Sequence, residues 1–349
     1  MSKKSPGSWD KVDIQNDRGE CVSAQAPVIV SASRSTDIPA FYSDWFMERL
    51  AKGYLRWTNP FNNKPLYVSF RNTRLIVFWS KNPKPMLRYI DELERRGLNF
   101  YFQFTLNDYV AEGLEPNVPP VEERIETFKR LSDRIGPDRV IWRFDPLLIT
   151  EKTPPERLLG KVISVGDRLK GYTRRLVFSF ADISNYARVR KNLQKAGFNA
   201  REFTQEEQMD FAKKLAGENH ARGWNLSLGT CAESIDLEAY GIEHNRCIDD
   251  RLMIRCFSHD PVLMEFLGID TSPKQGDLFS AMAEPALPTE APRSLRDKGQ
   301  RLACGCMRSK DIGEYNTCPH RCLYCYANTS PDSACNVARH AKRGESISE

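Results

Sequence analysis

The chain has 349 residues, of which 40% are hydrophobic, and a net charge of +5, so it has enough apolar material for one large core. It contains no apolar run of membrane-spanning length and no apolar secretion signal near its start. The chain is therefore expected to be neither a membrane protein nor a secreted protein held together by disulfides. The ten cysteines are therefore expected to be reduced thiols in a cytoplasmic protein with no membrane partner.

The predicted elements begin after a polar stretch, residues 1–25, that is expected to be a flexible tail. From residue 26 to residue 268, short apolar runs typical of buried strands alternate with longer amphipathic runs typical of helices. The predicted strands are Val28–Ser33, Leu75–Trp79, Phe100–Leu106, Val140–Phe144, Leu176–Phe180 and Leu226–Thr230. The predicted helices are Pro39–Ala51, Pro83–Arg96, Val121–Ile135, Pro155–Leu169, Tyr186–Ala196 and Glu206–Ala221. Buried strands that alternate with helices indicate a parallel sheet, either a barrel or a doubly wound sheet.

The loop after the first strand favours the barrel. Its residues Ser31–Asp37 contain no glycine-rich fingerprint, which a nucleotide-binding doubly wound sheet would carry there. Six strand–helix units then predict an α/β fold, a partial (β/α)6 TIM-like barrel. In a barrel the reactive side chains follow the strands, and the polar residues at these positions include Ser33, Lys81, Arg143 and Asp145.

The composition and periodicity of the sequence change after the predicted barrel. Residues 269–297 contain several prolines and little periodic patterning, which predicts a flexible linker. Within it, Gln275–Phe279 resembles the peptide by which bacterial repair and replication proteins dock on the sliding clamp, with a chance match as the alternative. Residues 298–335 are the predicted iron–sulfur segment, which is expected to fold back over the barrel mouth, and residues 336–349 are expected to form a polar tail.

Three cysteines in the last part of the chain, Cys318, Cys322 and Cys325, are spaced C-x3-C-x2-C. A structural zinc ion requires four protein ligands, whereas a [4Fe–4S] cluster held by three cysteines keeps one iron open for a small molecule. The spacing therefore favours an iron–sulfur cluster. Cys335 as a fourth ligand would favour structural zinc instead.

Four other cysteines predict a second metal site. Cys231 ends the sixth predicted strand, Cys247 follows it, and Cys304 and Cys306 precede the main motif. Together they would hold a second iron–sulfur cluster or a zinc ion and attach the cysteine-rich segment to the barrel. The alternative for Cys231 is an inert buried thiol.

The main motif resembles the cluster motif of radical S-adenosylmethionine (radical SAM) enzymes. Tyr324, which precedes the last cysteine, corresponds to the aromatic residue that contacts the adenine in those enzymes. The stretch Cys325–Ala327 is similar to the spore photoproduct lyase branch in particular. Radical SAM enzymes carry the motif near the first barrel strand, whereas here it follows the last one.

The chain as a whole is similar to an uncharacterised bacterial domain family, noted for a C-terminal cysteine cluster that resembles the radical SAM one. The similarity rests on Ser31–Pro39, Phe78–Pro83, Arg143–Pro146 and Ser309–Gly313.

Together the resemblances imply a [4Fe–4S] cluster, S-adenosylmethionine as cofactor, a low-potential electron donor and cleavage to a 5′-deoxyadenosyl radical. Tyr324, Ser33, Lys81, Arg143 and Asp145 would bind the cofactor.

Two functions of different class follow. The first is a radical SAM-type enzyme that acts on an unknown substrate, with nucleic acid as a candidate and DNA repair as a candidate role. The second is a zinc-stabilised module that binds nucleic acid or protein and catalyses nothing. The three-cysteine spacing favours the first, and a fourth ligand would favour the second.

Overall fold

The computed structural model describes residues 9–60, 62–270, 288–301, 304–329, 334 and 344–348. The strands are β1 (Asp10–Gln15), β2 (Cys21–Ala26), β3 (Ile29–Ala32), β4 (Tyr54–Thr58), β5 (Pro65–Ser69), β6 (Leu75–Ser80), β7 (Asn99–Thr105), β8 (Val140–Leu147), β9 (Arg175–Phe180), β10 (Ser227–Thr230), β11 (Ile242–His244) and β12 (Lys310–Asp311). The helices are α1 (Ile38–Phe41), α2 (Ser43–Lys52), α3 (Ile90–Arg95), α4 (Val121–Ile135), α5 (Pro155–Leu169), α6 (Ala187–Lys195), α7 (Gln205–Ala221), α8 (Asp250–Phe257) and α9 (Pro261–Phe266). Short 3₁₀ helices cover Lys84–Tyr89, Pro137–Arg139, Glu238–Tyr240 and Arg293–Leu295.

Eight strands form one sheet in the order β11-β10-β9-β8-β7-β6-β3-β12. Every neighbouring pair in it is parallel. From β3 to β11 the strands lie in chain order, as they do in a barrel, and β12 is added at the outer edge beside β3. The predicted α/β class and parallel sheet are therefore confirmed. The sheet is open, because β11 and β12 form its two edges and are not paired with each other in the described part of the chain.

Both faces of this sheet are covered. Alternate side chains of a strand point to opposite sides, so each strand contributes to two cores. On one face, Phe78 and Phe102 pack in a core with helix residues such as Phe128 of α4. On the other face, Val77 packs in a second core with Leu252 of α8. Helices α8 and α9, which the sequence patterns did not predict, thus cover the side that a closed barrel would enclose.

The six predicted strands correspond to β3 and β6–β10, and the predicted helices to α1–α7 with the first 3₁₀ helix. Helix α7 shows why the local patterns succeed. The Thr204 hydroxyl accepts from the Glu207 amide at 3.2 Å, and the Glu207 carboxylate accepts from the Thr204 amide at 2.9 Å. This capping box satisfies two amides that no helical carbonyl can reach.

The described parts of both predicted tails pack on the rest of the fold. In residues 10–26, β1 and β2 form an antiparallel hairpin, and β2 also pairs with β5 in a four-stranded sheet of order β1-β2-β5-β4. Residues 344–348 pack beside it, where the Glu345 carboxylate accepts from the Asp17 amide and the Tyr54 hydroxyl, both at 2.7 Å. The two segments are thus held to each other by a partly buried hydrogen bond.

The predicted linker is described only in part. Residues 271–287, with the clamp-like peptide Gln275–Phe279, lie outside the described residues. At its end, Glu290 pairs with Arg246 at 2.7 Å, and the Ala291 amide donates to Asp250 at 2.7 Å, which docks this segment on α8. Across the described residues, we find no helix with the length and apolar content needed to span a membrane.

Candidate metal centre with two cysteine groups

Strand β12 brings the cysteine-rich segment to the edge of the sheet. Lys310 and Asp311 pair with Val30 and Ser31 of β3, and the Asp311 carboxylate accepts from the Ser31 hydroxyl at 2.8 Å. Gly313 follows so closely that a Cβ there would lie 2.6 Å from the Ser33 Cβ, so only glycine fits. Ser33, predicted to bind the cofactor, is therefore buried against this glycine.

The main motif Cys318, Cys322 and Cys325 follows β12 in the chain; Cys322 is buried, and Cys318 and Cys325 are partly buried. Burial raises the pKa of Cys318 to about 12 and that of Cys325 above its ordinary value, while backbone amides oppose the rise. The donors are the amides of Asp37 and His320 for Cys318, and those of Ala327 and Asn328 for Cys325. Amides directed at sulfur stabilise the thiolate, which is the form that binds metal.

Asp37 connects the motif to two strand ends. Its carboxylate accepts from the Ser80 hydroxyl and the Lys81 amide, both at 2.7 Å, and lies 2.7 Å from His320 Nε2. It also caps α1 through the Ala40 amide. His320, which the motif places between the predicted ligands, therefore uses Nε2 for a carboxylate.

Tyr324 and Lys81, both predicted to bind the cofactor, meet at a buried carboxylate beside the motif. Lys81 Nζ lies 2.8 Å from Glu115 Oε1 and 2.9 Å from the Tyr324 hydroxyl, which itself donates to Glu115. Arg124 lies 3.7 Å from the same carboxylate. Burial would raise the pKa of Glu115, but Lys81 and Arg124 outweigh it and hold this pKa below its ordinary value. Glu115 was not predicted, because a single acidic residue in an irregular loop carries no pattern.

The structure also gathers the four cysteines of the predicted second site. Cys231 Sγ and Cys247 Sγ lie 3.6 Å apart. The amides of Cys247 and Ile248 donate to Cys306 Sγ at 3.2 and 3.4 Å. A hydrogen bond with Cys306 lowers the pKa of Cys304 to about 7. Four thiols from three separate parts of the chain are thus neighbours.

Arg143 belongs to this second group rather than to the main motif. Its Nη1 donates to Cys247 Sγ at 3.1 Å and to Gln103 Oε1 at 3.2 Å. Its Nη2 pairs with Asp145, which also accepts from Ser179. Asp145 keeps 24% of its side chain exposed, whereas Arg143 keeps only 2%.

Glu233 adds a carboxyl group to this region. It accepts from the Phe180 amide at 2.9 Å. Burial raises its pKa to about 7, with Asp145 adding to the rise and the amide opposing it. A carboxyl with this pKa exchanges protons near neutral pH.

In the part of the chain that the structure describes, no set of three or more His, Cys, Asp or Glu side chains already stands in metal-binding geometry. The predicted ligands are therefore close to one another without forming a completed coordination shell. Cys335, the predicted fourth ligand of the zinc alternative, lies outside the described residues.

Comparison with known proteins places the chain in a family. The family DUF1848, a domain of unknown function, matches residues 29–327. Neither the curated proteins nor the solved structures contain a match to the chain. The matched region runs from β3 to just beyond Cys325, so it contains the parallel sheet, the main motif and all four cysteines of the second group. The similarity of the motif to radical SAM enzymes stays a prediction, but the chain belongs to the DUF1848 family.

Proposed function

We propose that the protein is an iron–sulfur enzyme of the radical SAM type, with the cluster on Cys318, Cys322 and Cys325. The position of β12 carries the proposal. Radical SAM enzymes place the motif after the first strand of a partial barrel, and β12 is the edge strand beside β3 in an open parallel sheet. The motif comes last in the chain, yet in space it follows an outermost strand. The motif thus comes at a different place along the chain than in radical SAM enzymes, while its place beside an outermost strand of the sheet would be the same.

The surroundings of the motif fit a three-thiolate group. Backbone amides are directed at Cys318 and Cys325, and the cysteines that act electrostatically on Cys322 are these two. Lys81 lies close enough to oppose the rise in the pKa of Cys322 that burial causes. Hydrogen bonds to sulfur and a nearby cation both favour bound thiolates over free thiols.

When bound, an open-iron cluster would supply the electron that cleaves the sulfonium C–S bond of S-adenosylmethionine, which yields a 5′-deoxyadenosyl radical. The residues of the chain would hold the cofactor and exclude water. Tyr324, fixed through its hydroxyl by Glu115 and Lys81, would present its ring to the adenine. Asp145, partly exposed, would accept from the ribose hydroxyls. Lys81 and Arg143 would position Tyr324 and Asp145 rather than contact the cofactor.

The substrate is left open by this proposal. A nucleic-acid substrate, a role in DNA repair, a sliding-clamp partner and a cytoplasmic location stay predictions, as does the alternative of a zinc-stabilised binding module.

Formation of 5′-deoxyadenosine tests the proposal. Anaerobically purified, dithionite-reduced protein is incubated with S-adenosylmethionine, and the product is measured by chromatography. We expect product from the wild-type protein and from Cys256→Ala, whose thiol lies on α8 away from the motif, and none from Cys322→Ala. No product from reduced wild-type protein that carries a full iron complement would contradict the proposal, as would equal product from Cys322→Ala.

A further inference from the structure

The second cysteine group is assembled by the fold rather than by a local motif. Cys231 follows β10, Cys247 follows β11, and Cys304 and Cys306 come from the segment before β12. Cys247 and Cys306 are buried in the core that also holds α8 and α9. Chance would rarely bring four thiols from three distant segments into one place, and no disulfide joins any of these four, since all are free.

The spacing of the sulfurs indicates what they would bind. Four thiolates around one zinc ion at about 2.3 Å form a tetrahedron whose edges are about 3.8 Å. Cys231 Sγ and Cys247 Sγ are 3.6 Å apart. In an iron–sulfur cubane each cysteine binds a different iron, so its sulfurs are farther apart than this. A single tetrahedral ion therefore fits this spacing better than a cubane cluster.

The polar groups around the sulfurs are arranged for thiolates. Asn245 Nδ2 and Arg143 Nη1 donate to Cys247 Sγ at 3.2 and 3.1 Å, and two backbone amides donate to Cys306 Sγ. Metal-bound sulfurs in proteins commonly accept such hydrogen bonds, which fix the ligands and offset their charge.

Two arginines face the group, Arg143 from β8 and Arg34 from the loop after β3. A zinc ion with four thiolates is a dianion, so burying it requires cations nearby. Arg143 is fully buried, and Arg34 has a buried Nη2 without a hydrogen-bond partner. Both guanidinium groups lie over Trp79 at 5.2 Å from its ring centre. Asp145 and Asp311 balance part of this charge.

From the gathered sulfurs and their donors, we propose that Cys231, Cys247, Cys304 and Cys306 bind one zinc ion in a structural site. Four protein thiolates leave no open position, so the ion takes no part in chemistry. It ties the segment before β12 to the loops after β10 and β11. The backbone already makes this connection at one point, where the Met307 amide donates to the Ile248 carbonyl at 2.9 Å. The site is independent of the proposed cluster, since it uses different cysteines and a different core.

Zinc K-edge X-ray absorption on the full-length protein, made in medium with both zinc and iron and purified anaerobically, tests the proposal. We expect about one zinc per chain, bound by four sulfurs at about 2.3 Å. Zinc with nitrogen or oxygen ligands, or no zinc, overturns it.

Metal analysis of two variants separates this site from the main motif. The triple variant Cys318→Ala, Cys322→Ala, Cys325→Ala is expected to keep its zinc while losing its iron. Cys247→Ser is expected to lose the zinc, and Cys256→Ser is the matched control that keeps it. Iron and sulfide that persist in the triple variant would mean a second cluster and would overturn the single-ion site. Because the absorption measurement uses wild-type protein, misfolding of a variant leaves the proposal testable.

Discussion

The two cysteine groups are built in opposite ways. The main motif places three cysteines within eight residues, against the loops that follow β3 and β6. The second group draws four cysteines from positions 231 to 306, and its buried members pack in the core on the opposite face, against α8 and α9. Spacing along the chain reveals the first group, whereas only the order of strands brings the second together. The spacing of a short motif already places its cysteines together, whereas the four cysteines of the second group could be named from the sequence but are brought together only by the fold.

The largest expected effect is a change in metal content that distinguishes the two cysteine groups. Cys322→Ala removes the buried central thiol of the main motif, so we expect iron to fall from about four per chain to nearly none. Zinc should stay unchanged, because the second group is intact. Elemental analysis of anaerobically purified protein measures both metals, with Cys256→Ala as control. Wild-type iron content in Cys322→Ala would show that the motif does not hold the cluster.

The reverse substitution sharpens the comparison. Cys306→Ala removes a thiol that accepts from two backbone amides, so we expect zinc to be lost and iron to be kept. The same elemental analysis, combined with a circular dichroism spectrum to confirm folding, checks the result. A folded variant with unchanged metal content would remove the second site from this account.

Glu115→Gln breaks the buried network beside the main motif. The substitution keeps the shape but leaves Lys81 and Arg124 without their carboxylate, so we expect a loss of about 3 kcal/mol in unfolding free energy. Glu123→Gln is the matched control, since its pair with Lys84 is exposed and should contribute less than about 1 kcal/mol. Urea unfolding measures both variants. Equal losses would contradict a special role for Glu115.

Gly313→Ala tests the close approach of the segment after β12 to the loop that follows β3. An added Cβ would collide with Ser33, so the backbone must shift, at a cost of about 1–3 kcal/mol. Gly160→Ala lies in α5 with open space around it and should be neutral or stabilising by up to about 1 kcal/mol. Thermal unfolding distinguishes the two, and a harmless Gly313→Ala would show that the edge is looser than described.

The last prediction concerns the dependence of stability on pH. Burial lowers the pKa of Lys310 on β12 from 10.5 to about 8, although Asp311 opposes the shift. The folded state therefore loses its proton before the unfolded state does, so this group favours folding increasingly as pH rises from about 8 to 10.5. Lys310→Met should flatten that part of the stability profile. Parallel profiles of the two proteins in this pH range would contradict the shift.

Much of the fold could be predicted because local patterns and tertiary packing agree. The strand at Leu75 and the helix at Val121 are apolar where the core requires it, and their boundaries carry ordinary signals. The hairpin in residues 10–26 could not be predicted, because its strands bury few side chains and are stabilised by pairing with β5. Helices α8 and α9 are short, and their place on the sheet depends on contacts distant in sequence.

In the candidate site, too, local sequence patterns predict some features, whereas others depend on contacts between distant parts of the chain. The three cysteines of the motif and Tyr324 were predicted from spacing and resemblance. The expectation that Lys81 and Arg143 bind a cofactor came from their place after strands and stays a prediction. In the structure Lys81 pairs with Glu115 and Arg143 pairs with Asp145. A position at a strand end cannot show whether a charged side chain has a partner, because that partner lies elsewhere in the chain.

The most direct test of the central claim is electron paramagnetic resonance of the reduced, anaerobically purified protein with and without S-adenosylmethionine. An open iron changes its ligand field when a cofactor binds it, so we expect a reduced-cluster signal that shifts on addition and is absent from Cys322→Ala. A cluster signal that S-adenosylmethionine leaves unchanged, or zinc without iron in protein made under iron-replete conditions, would contradict the account.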